Sequence, residues 1–508
     1  MNPLLSCLAP TLALTSALVL SLSPRAIAQP APSFIIVGAR VADGTGVPLR
    51  AVNVRVENGR IAAIGDLHPS QGDVVIDGAG RVLAPGFIDV HNHSTSGLER
   101  EPLASSQVSQ GITTLLVGQD GSSPLPVATY LAARSKAPAA VNVATCVGHA
   151  SVRSKVMGDD YKRVARPDEV ARMEALVDQG FKDGAFCLSS GLEYEIGGYA
   201  STDEVVALAR VAGRHGGFYI SHIRDEADKA MEAMAELVDI GERAKVAVQN
   251  THIKVGTAGV WGKASDAMRL FDAARKRGVD VTADCYPWDA WSSTILVLIP
   301  NKKYDDPTSV ARGLSDVGGA SNVLITSYSK DPSFEFRTLS EVATKRGVTP
   351  VDLFIEIARN GGASVVVKSM MDDDIKAFYA WPFTMVSSDG GIAYRHPRGA
   401  GTFPRVLGRF VRERGWLTIE EAIRRMTSLP AWRLGLKDRG KIEPGLVADL
   451  VLFDPLTVID NATFTDPFRL SSGIDKVWVS GGLVWSDSKS TGARPGRALA
   501  SGSQVPHP

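Results

Sequence analysis

Two histidines one residue apart offer the first chemistry in this chain. They close the segment Gly86-Phe87-Ile88-Asp89-Val90-His91-Asn92-His93. Alternate side chains of an extended strand share a face, so His91 and His93 project together and can hold one metal ion. Asp89 lies on the same face and can orient a ligand from behind. Two more histidines, His222 and His252, each end an apolar run, at 217–221 and 246–251. Asp389 ends another, Phe383-Thr384-Met385-Val386-Ser387-Ser388-Asp389. Imidazoles and a carboxylate at successive strand ends make a donor set for a divalent cation. The carboxylate can also take a proton from water acidified by that cation. Taken singly, each is an ordinary polar residue at a strand or helix end.

These side chains act together only if the fold brings the strand ends to one place. The middle of the chain alternates short apolar strands with helical stretches, the mark of a parallel α/β fold. Eight strands are expected to end near His93, Asp120, His149, Ser189, His222, His252, Tyr286 and Asp389. Helical periodicity falls between them at 168–179, 202–214 and 264–276. The pattern predicts a (β/α)8 barrel over 85–440, a fold whose sites gather at the C-terminal ends of the strands. The eighth strand comes late, and residues within about 295–380 read as an inserted helical subdomain capping the site. Residues 29–84 and 441–490 are both strand-rich, which predicts one small β-sandwich built from the two ends. Residues 491–508, rich in Gly, Ser and Pro, read as a flexible tail.

Lys+Arg and Asp+Glu each total 55 of 508 residues, so the formal charge is zero. That excludes a globally cationic nucleic-acid binder. Residues 1–28 are apolar and end in Ala26-Ile27-Ala28, the form of a secretory signal peptide cleaved after Ala28. The apolar run is also long enough for an uncleaved anchor. A periplasmic or secreted protein is expected, with no stable membrane partner. Cys146, Cys187 and Cys285 are widely spaced and read as buried free thiols, with room for one disulfide in an oxidising compartment.

Further motifs carry a resemblance. They are Gly148-His149, Ser190-Gly191-Leu192-Glu193-Tyr194, Ser221-His222-Ile223-Arg224-Asp225-Glu226 and His252-Ile253-Lys254. Others are His396-Pro397-Arg398, Gly401-Thr402-Phe403-Pro404-Arg405 and Pro444-Gly445-Leu446-Val447-Ala448-Asp449-Leu450. Together with the histidines, they make residues 33–498 resemble the D-aminoacylase (N-acyl-D-amino-acid deacylase) family of the amidohydrolase superfamily. The resemblance implies zinc, as one or two ions. One site would use His222, His252 and a bridging residue, and a weaker one His91, His93 and Asp389. The bridge is often Cys in the family, whereas this chain has Asp120 there. A carboxylate is harder than a thiolate, so manganese or cobalt should be better tolerated.

The implied substrate is a small N-acyl amino acid, whose amide is cut with Asp389 as general acid and base. The α-carboxylate of such a substrate needs a cation. Lys254, two residues past His252, falls on the same side if the strand persists. The resemblance implies that Lys254 and Tyr194 contact substrate, with Arg398 as a further anchor. His149 either polarises substrate or supports the barrel mouth. Asp284 and Tyr286 are supporting candidates, and Glu193 and Glu195 read as lid residues or surface charges. The alternatives are a dipeptidase acting on D-residue or isoaspartyl dipeptides, and a cyclic amidase. A non-catalytic binding protein on the same barrel is disfavoured by the full donor set. No Gly-x-Ser-x-Gly element points to a serine nucleophile.

Overall fold

The computed structural model describes residues 33–502. The expected signal peptide, or anchor, lies outside the described residues. Among the described residues, no helix is long and apolar enough to cross a membrane.

Eight parallel strands form the centre. They are β1 (Phe87–Asp89), β2 (Ile112–Val117), β3 (Asn142–Thr145, continued as Val147–Gly148) and β4 (Cys187–Gly191). Then come β5 (Phe218–His222), β6 (Ala247–Asn250), β7 (Val281–Cys285) and β8 (Thr384–Val386). Each pairs in parallel with the next. The ring closes where the chain beyond β8 meets the chain beyond β1: Asp389 N donates to His91 O at 3.0 Å, and His93 N to Gly390 O at 2.7 Å. β2 is buried at all six positions, as expected of a strand covered on both faces. The helices form the outer layer. Thr202–Arg214 is typical: Ser201 caps it by accepting from Glu204 N, and it buries Val205, Leu208, Ala209 and Ala212 at helical spacing. The helical stretch expected at 168–179 is Pro167–Lys182.

Two further sheets come from the ends of the chain, the first from the N-terminal end alone. One runs Arg60–Gly65, Asn53–Glu57, Phe34–Val37, Val74–Asp77. The other interleaves Leu450–Phe453 from the C-terminal end with Val82–Pro85 from the N-terminal end. Phe34, Val54, Val56, Leu83, Leu450 and Trp478 share one apolar core between them.

Three expectations need correction. The insert is not purely helical. Between β7 and β8 it forms an antiparallel sheet of Ala290–Thr294, Ser364–Lys368, Val323–Ser327 and Arg337–Thr338, with its own core of Ile325, Leu339, Leu353, Phe354, Val365 and Val367. The two longest-paired strands lie far apart in sequence, with Trp291 opposite Val367, and the amphipathic helices between them dominate the linear pattern. Cys146 and Cys187 are not free thiols but a disulfide; among the described residues Cys285 is the free one, and it is buried. The described part of the tail is not loose. Residues 496–501 run along the start of β3: Gly496 N donates to Ala139 O, Val143 N to Arg497 O, and Leu499 N to Val143 O. Leu499 is 7% exposed and joins Ile88, Val90, Phe186 and Phe218 in the barrel core.

Because Leu499 fills core space, Leu499→Ala should cost about 2–4 kcal/mol, read from urea or thermal unfolding. A loss below about 0.5 kcal/mol, the range of ordinary surface sites, would mean the segment is not docked.

Candidate metal centre

The barrel gathers the predicted donors at one mouth. His91, Asp120, His252 and Asp389 each offer an atom within 4.8 Å of every other, and His222, Glu226 and His252 form a second such group. His252 belongs to both. His93 stands beside the first: its Nε2 is 3.0 Å from Asp389 Oδ1 and 3.2 Å from His91 Nε2. His222 Nδ1 lies 2.9 Å from His252 Nε2. Asp120 sits between the histidines, with Oδ1 3.5 Å from His91 Nε2 and 3.6 Å from His252 Nε2, and Oδ2 3.5 Å from His93 Nε2.

Local backbone shape makes this convergence possible. Asp120, His252 and Asp389 all have left-handed φ, of 54°, 31° and 45°. Side chains there cost backbone strain, and such strain is concentrated at functional sites. The turn after Asp389 also needs glycine. A Cβ on Gly390 would lie 2.6 Å from Gly399 Cα, where the chain packs on helix Arg398–Arg405.

Two buried carboxylates fix the strand ends. Asp89 accepts from Ser388 N at 2.9 Å and from Asn92 Nδ2 at 2.9 Å. It therefore clamps the backbone beside Asp389, where sequence had suggested contact with an imidazole. Asp284 accepts from His252 N at 2.9 Å, Ser387 Oγ at 2.6 Å and Gln249 Nε2 at 2.6 Å. Tyr286 is buried against Arg398, whose guanidinium lies 4.7 Å from its ring centroid.

The electrostatics suit a cation. Burial alone would raise Asp389, but Arg398, His91 and His252 outweigh it and hold the carboxyl well below its ordinary range. Asp120 behaves likewise: His91 and His252 overcome the effect of burial. Asp120 Oδ1 is buried without a hydrogen-bond partner among the described residues, although it faces imidazole nitrogens. An all-nitrogen and oxygen donor set with an unpaired acceptor at its centre fits one or two divalent ions.

A family model described as the amidohydrolase family matches residues 74–485. The chain belongs to the amidohydrolase family. D-aminoacylase of Alcaligenes xylosoxydans xylosoxydans is 36% identical over 92% of this chain and 97% of its own length. The N-acyl-D-aspartate deacylase of the same organism is 37% identical, over 93% and 96%. Among solved structures, N-acyl-D-glutamate deacylase from Bordetella bronchiseptica superposes with a TM-score of 0.84 at 34% identity, over 92% of this chain and 99% of its own. That protein was crystallised with zinc and a phosphonate mimic of the tetrahedral intermediate.

In this amidohydrolase, the donors open into a cavity of about 970 Å³. Tyr194, Lys254 and Arg398, the expected substrate contacts, are among its lining residues. Neither cation is free: Lys254 Nζ donates to both Glu226 oxygens at 2.8 and 2.7 Å, and Arg398 Nη1 lies 2.7 Å from Asp389 Oδ2. His149 does not reach the cavity. Its Nε2 is held 2.9 Å from Glu204, which also binds Arg153, so of its two readings the supporting one fits. Glu193 is neither lid nor surface charge, since its Oε2 meets His222 Nε2 at 2.7 Å. Glu195 pairs at the surface with Lys162. Sequence reasoning missed Glu226 as a possible donor. The available signal was its position four residues after His222, but those residues follow a strand end, where the direction of a side chain is set by the loop.

Protons compete for these donors. His91 is raised well above its ordinary value because Asp120 and Asp389 outweigh burial; His252 is raised to about 9, burial and Lys254 being overcome by Glu226, Asp389 and Asp120. Raised imidazoles stay protonated to higher pH, so zinc added to chelator-stripped protein should release protons. Its affinity should climb between pH 6 and 9, as calorimetry in buffers of different ionisation enthalpy would show. Asp120→Cys tests the bridge: it should retain zinc longer under chelator and take up less manganese than the natural protein, measured by elemental analysis. Equal retention would refute the hard-donor reading of Asp120.

Proposed function

We propose that this chain hydrolyses the amide of N-acyl-D-amino acids, giving a carboxylate and a free D-amino acid, with zinc as its metal. The observation that carries this is the convergence of His91, Asp120, His252 and Asp389 at the base of a cavity that also presents Lys254, Tyr194 and Arg398. The relatives named D-aminoacylase and N-acyl-D-aspartate deacylase support the substrate class.

The chemistry needs a stronger nucleophile than water and a protonated leaving nitrogen. A zinc ion held by these donors supplies Lewis acidity and brings the pKa of water near 7. The remaining work belongs to the chain. Asp389 is pinned on one oxygen by Arg398, which leaves its other oxygen to take a proton from the attacking water and return it to the departing amine. Lys254, held by Glu226, offers positive charge to the α-carboxylate. Tyr194, its ring 4.4 Å from that of His222, borders the reacting carbonyl. The insert contributes residues such as Trp291 and Val297 to the cavity wall.

A periplasmic or secreted location is part of the proposal. The apolar residues 1–28 support it, as does the Cys146–Cys187 disulfide, a bond that persists in oxidising compartments.

The decisive assay is release of free amine from N-acetyl-D-methionine, N-acetyl-L-methionine and a D-residue dipeptide, with and without metal. Metal-dependent release from the N-acetyl-D substrate is expected. Asp389→Asn should lower kcat by about 10²–10⁴-fold with little change in KM. Turnover of the dipeptide alone would replace this reading with that of a dipeptidase.

A further inference from the structure

Arg398 reaches the cavity with its charge already committed. Its Nη1 lies 2.7 Å from Asp389 Oδ2, and its Nη2 donates to the Tyr394 hydroxyl at 3.2 Å. Its Nε is buried without a partner among the described residues, and the side chain as a whole is 2% exposed. Two rings pack on the guanidinium, with Cζ 4.7 Å from the Tyr286 centroid and 5.3 Å from the Tyr394 centroid. An anion arriving from the cavity therefore meets little of Arg398 itself. It meets Tyr394.

Tyr394 is half-buried, lines the cavity and has no part in the steps above. Its ring lies nearly parallel to that of His93, at 13° with centroids 6.2 Å apart. The hydroxyl oxygen accepts from Arg398, so its own proton points elsewhere, and among the described residues no acceptor takes it. The cavity is the direction left to it. A hydroxyl whose oxygen is bound by a guanidinium is polarised and donates more strongly.

The surroundings hold this donor in place before any ligand arrives. Tyr394 N donates to Gly391 O at 3.3 Å. Helix Arg398–Arg405 packs on it through Gly399, where a Cβ would lie 3.1 Å from Tyr394 Cβ. The next residue, Arg395, fastens the loop to the insert by donating to Thr326 O at 2.6 Å and pairing with Glu335. A donor fixed in this way loses little freedom on binding.

An N-acyl amino acid offers one charged acceptor, its α-carboxylate. Lys254 Nζ lies 5.8 Å from the centroid of Tyr286, the ring on which Arg398 also packs. The two cations thus flank one aromatic side chain. A carboxylate that turns one oxygen to Lys254 has its second oxygen left for the Arg398 side, where Tyr394 presents the unused proton.

We infer that Tyr394 is a further substrate-binding residue, whose hydroxyl, polarised by Arg398, donates a hydrogen bond to the α-carboxylate of the N-acyl amino acid. The inference rests on the deacylase reading above.

The test compares kcat/KM of the zinc-loaded, full-length natural protein and of Tyr394→Phe on two substrates. One is N-acetyl-D-methionine; the other is its primary amide, N-acetyl-D-methioninamide, which lacks the carboxylate. Phenylalanine keeps the ring beside His93 and Arg398 and removes the hydroxyl. The acid should lose roughly 10–100-fold, chiefly through KM, and the amide less than about threefold. Zinc content and circular dichroism should match the natural protein. If the amide turns over too slowly to measure, inhibition by D-methionine and by D-methioninamide supplies the same comparison. Tyr394→Leu takes the place of Tyr394→Phe if the latter does not fold. Equal losses on acid and amide would overturn the inference: through kcat they would put the hydroxyl at the reacting carbonyl, and with loss of zinc they would make Tyr394 a mere support for His93. No loss on either substrate would overturn it as well. In each of these cases the natural protein still cleaves the N-acyl-D substrate, so the deacylase reading stands. Failure of the natural protein to cleave it would remove both.

Discussion

Asp120 and Asp389 stand at the mouth of a barrel whose interior excludes water, and burying two carboxylates together is expensive unless positive charge lies beside them. Here that charge comes from Arg398 and from imidazoles, and each carboxylate is held ionised by it. The same crowding leaves an acceptor oxygen of Asp120 facing ring nitrogens without a hydrogen bond. A bound divalent ion resolves both problems. The strained backbone at Asp120, His252 and Asp389 is sustained because its neighbours hold it from several sides.

Those neighbours are mostly invisible from the cavity. Asp89 ties the start of the barrel to its end by gripping Ser388, and Asp284 does the same between β6 and β8 through His252 and Ser387. Neither carboxylate needs to touch an ion to matter. Each fixes the position from which a donor leaves its strand, which is what makes ligand geometry reproducible. Outside this frame the insert supplies a wall with a core of its own, so the shape of the cavity and the geometry of the donors are set by separate packing units.

Much of this was legible in the sequence for a simple reason. Polar residues that end apolar runs stand out, and in a parallel barrel all such ends meet at one mouth. His91, His93, Asp120, His222, His252 and Asp389 were found that way, with the family resemblance supplying the role of Asp120. What escaped depends on relations that the linear order does not carry. The disulfide follows from register: Val147 pairs with Leu188, which sets Cys146 beside Cys187, 41 residues away. The strap at 496–501 is held largely by backbone hydrogen bonds, which leave no side-chain pattern to read. The sheet in the insert pairs strands separated by several helices. Glu193 and Glu226 turn inwards from loops, and nothing in their neighbours announces that direction.

The closing of the barrel has a consequence for how the molecule is born. His93 and Asp389 meet across 296 residues, and the whole insert is made between them. A ribosome therefore delivers the first histidines long before their carboxylate partner exists, and the strap that seals the far end emerges later still. Contacts of such long range are slow to form. The nascent chain must keep an unfinished ring of strands from sticking to its neighbours until the strand before Asp389 has been made.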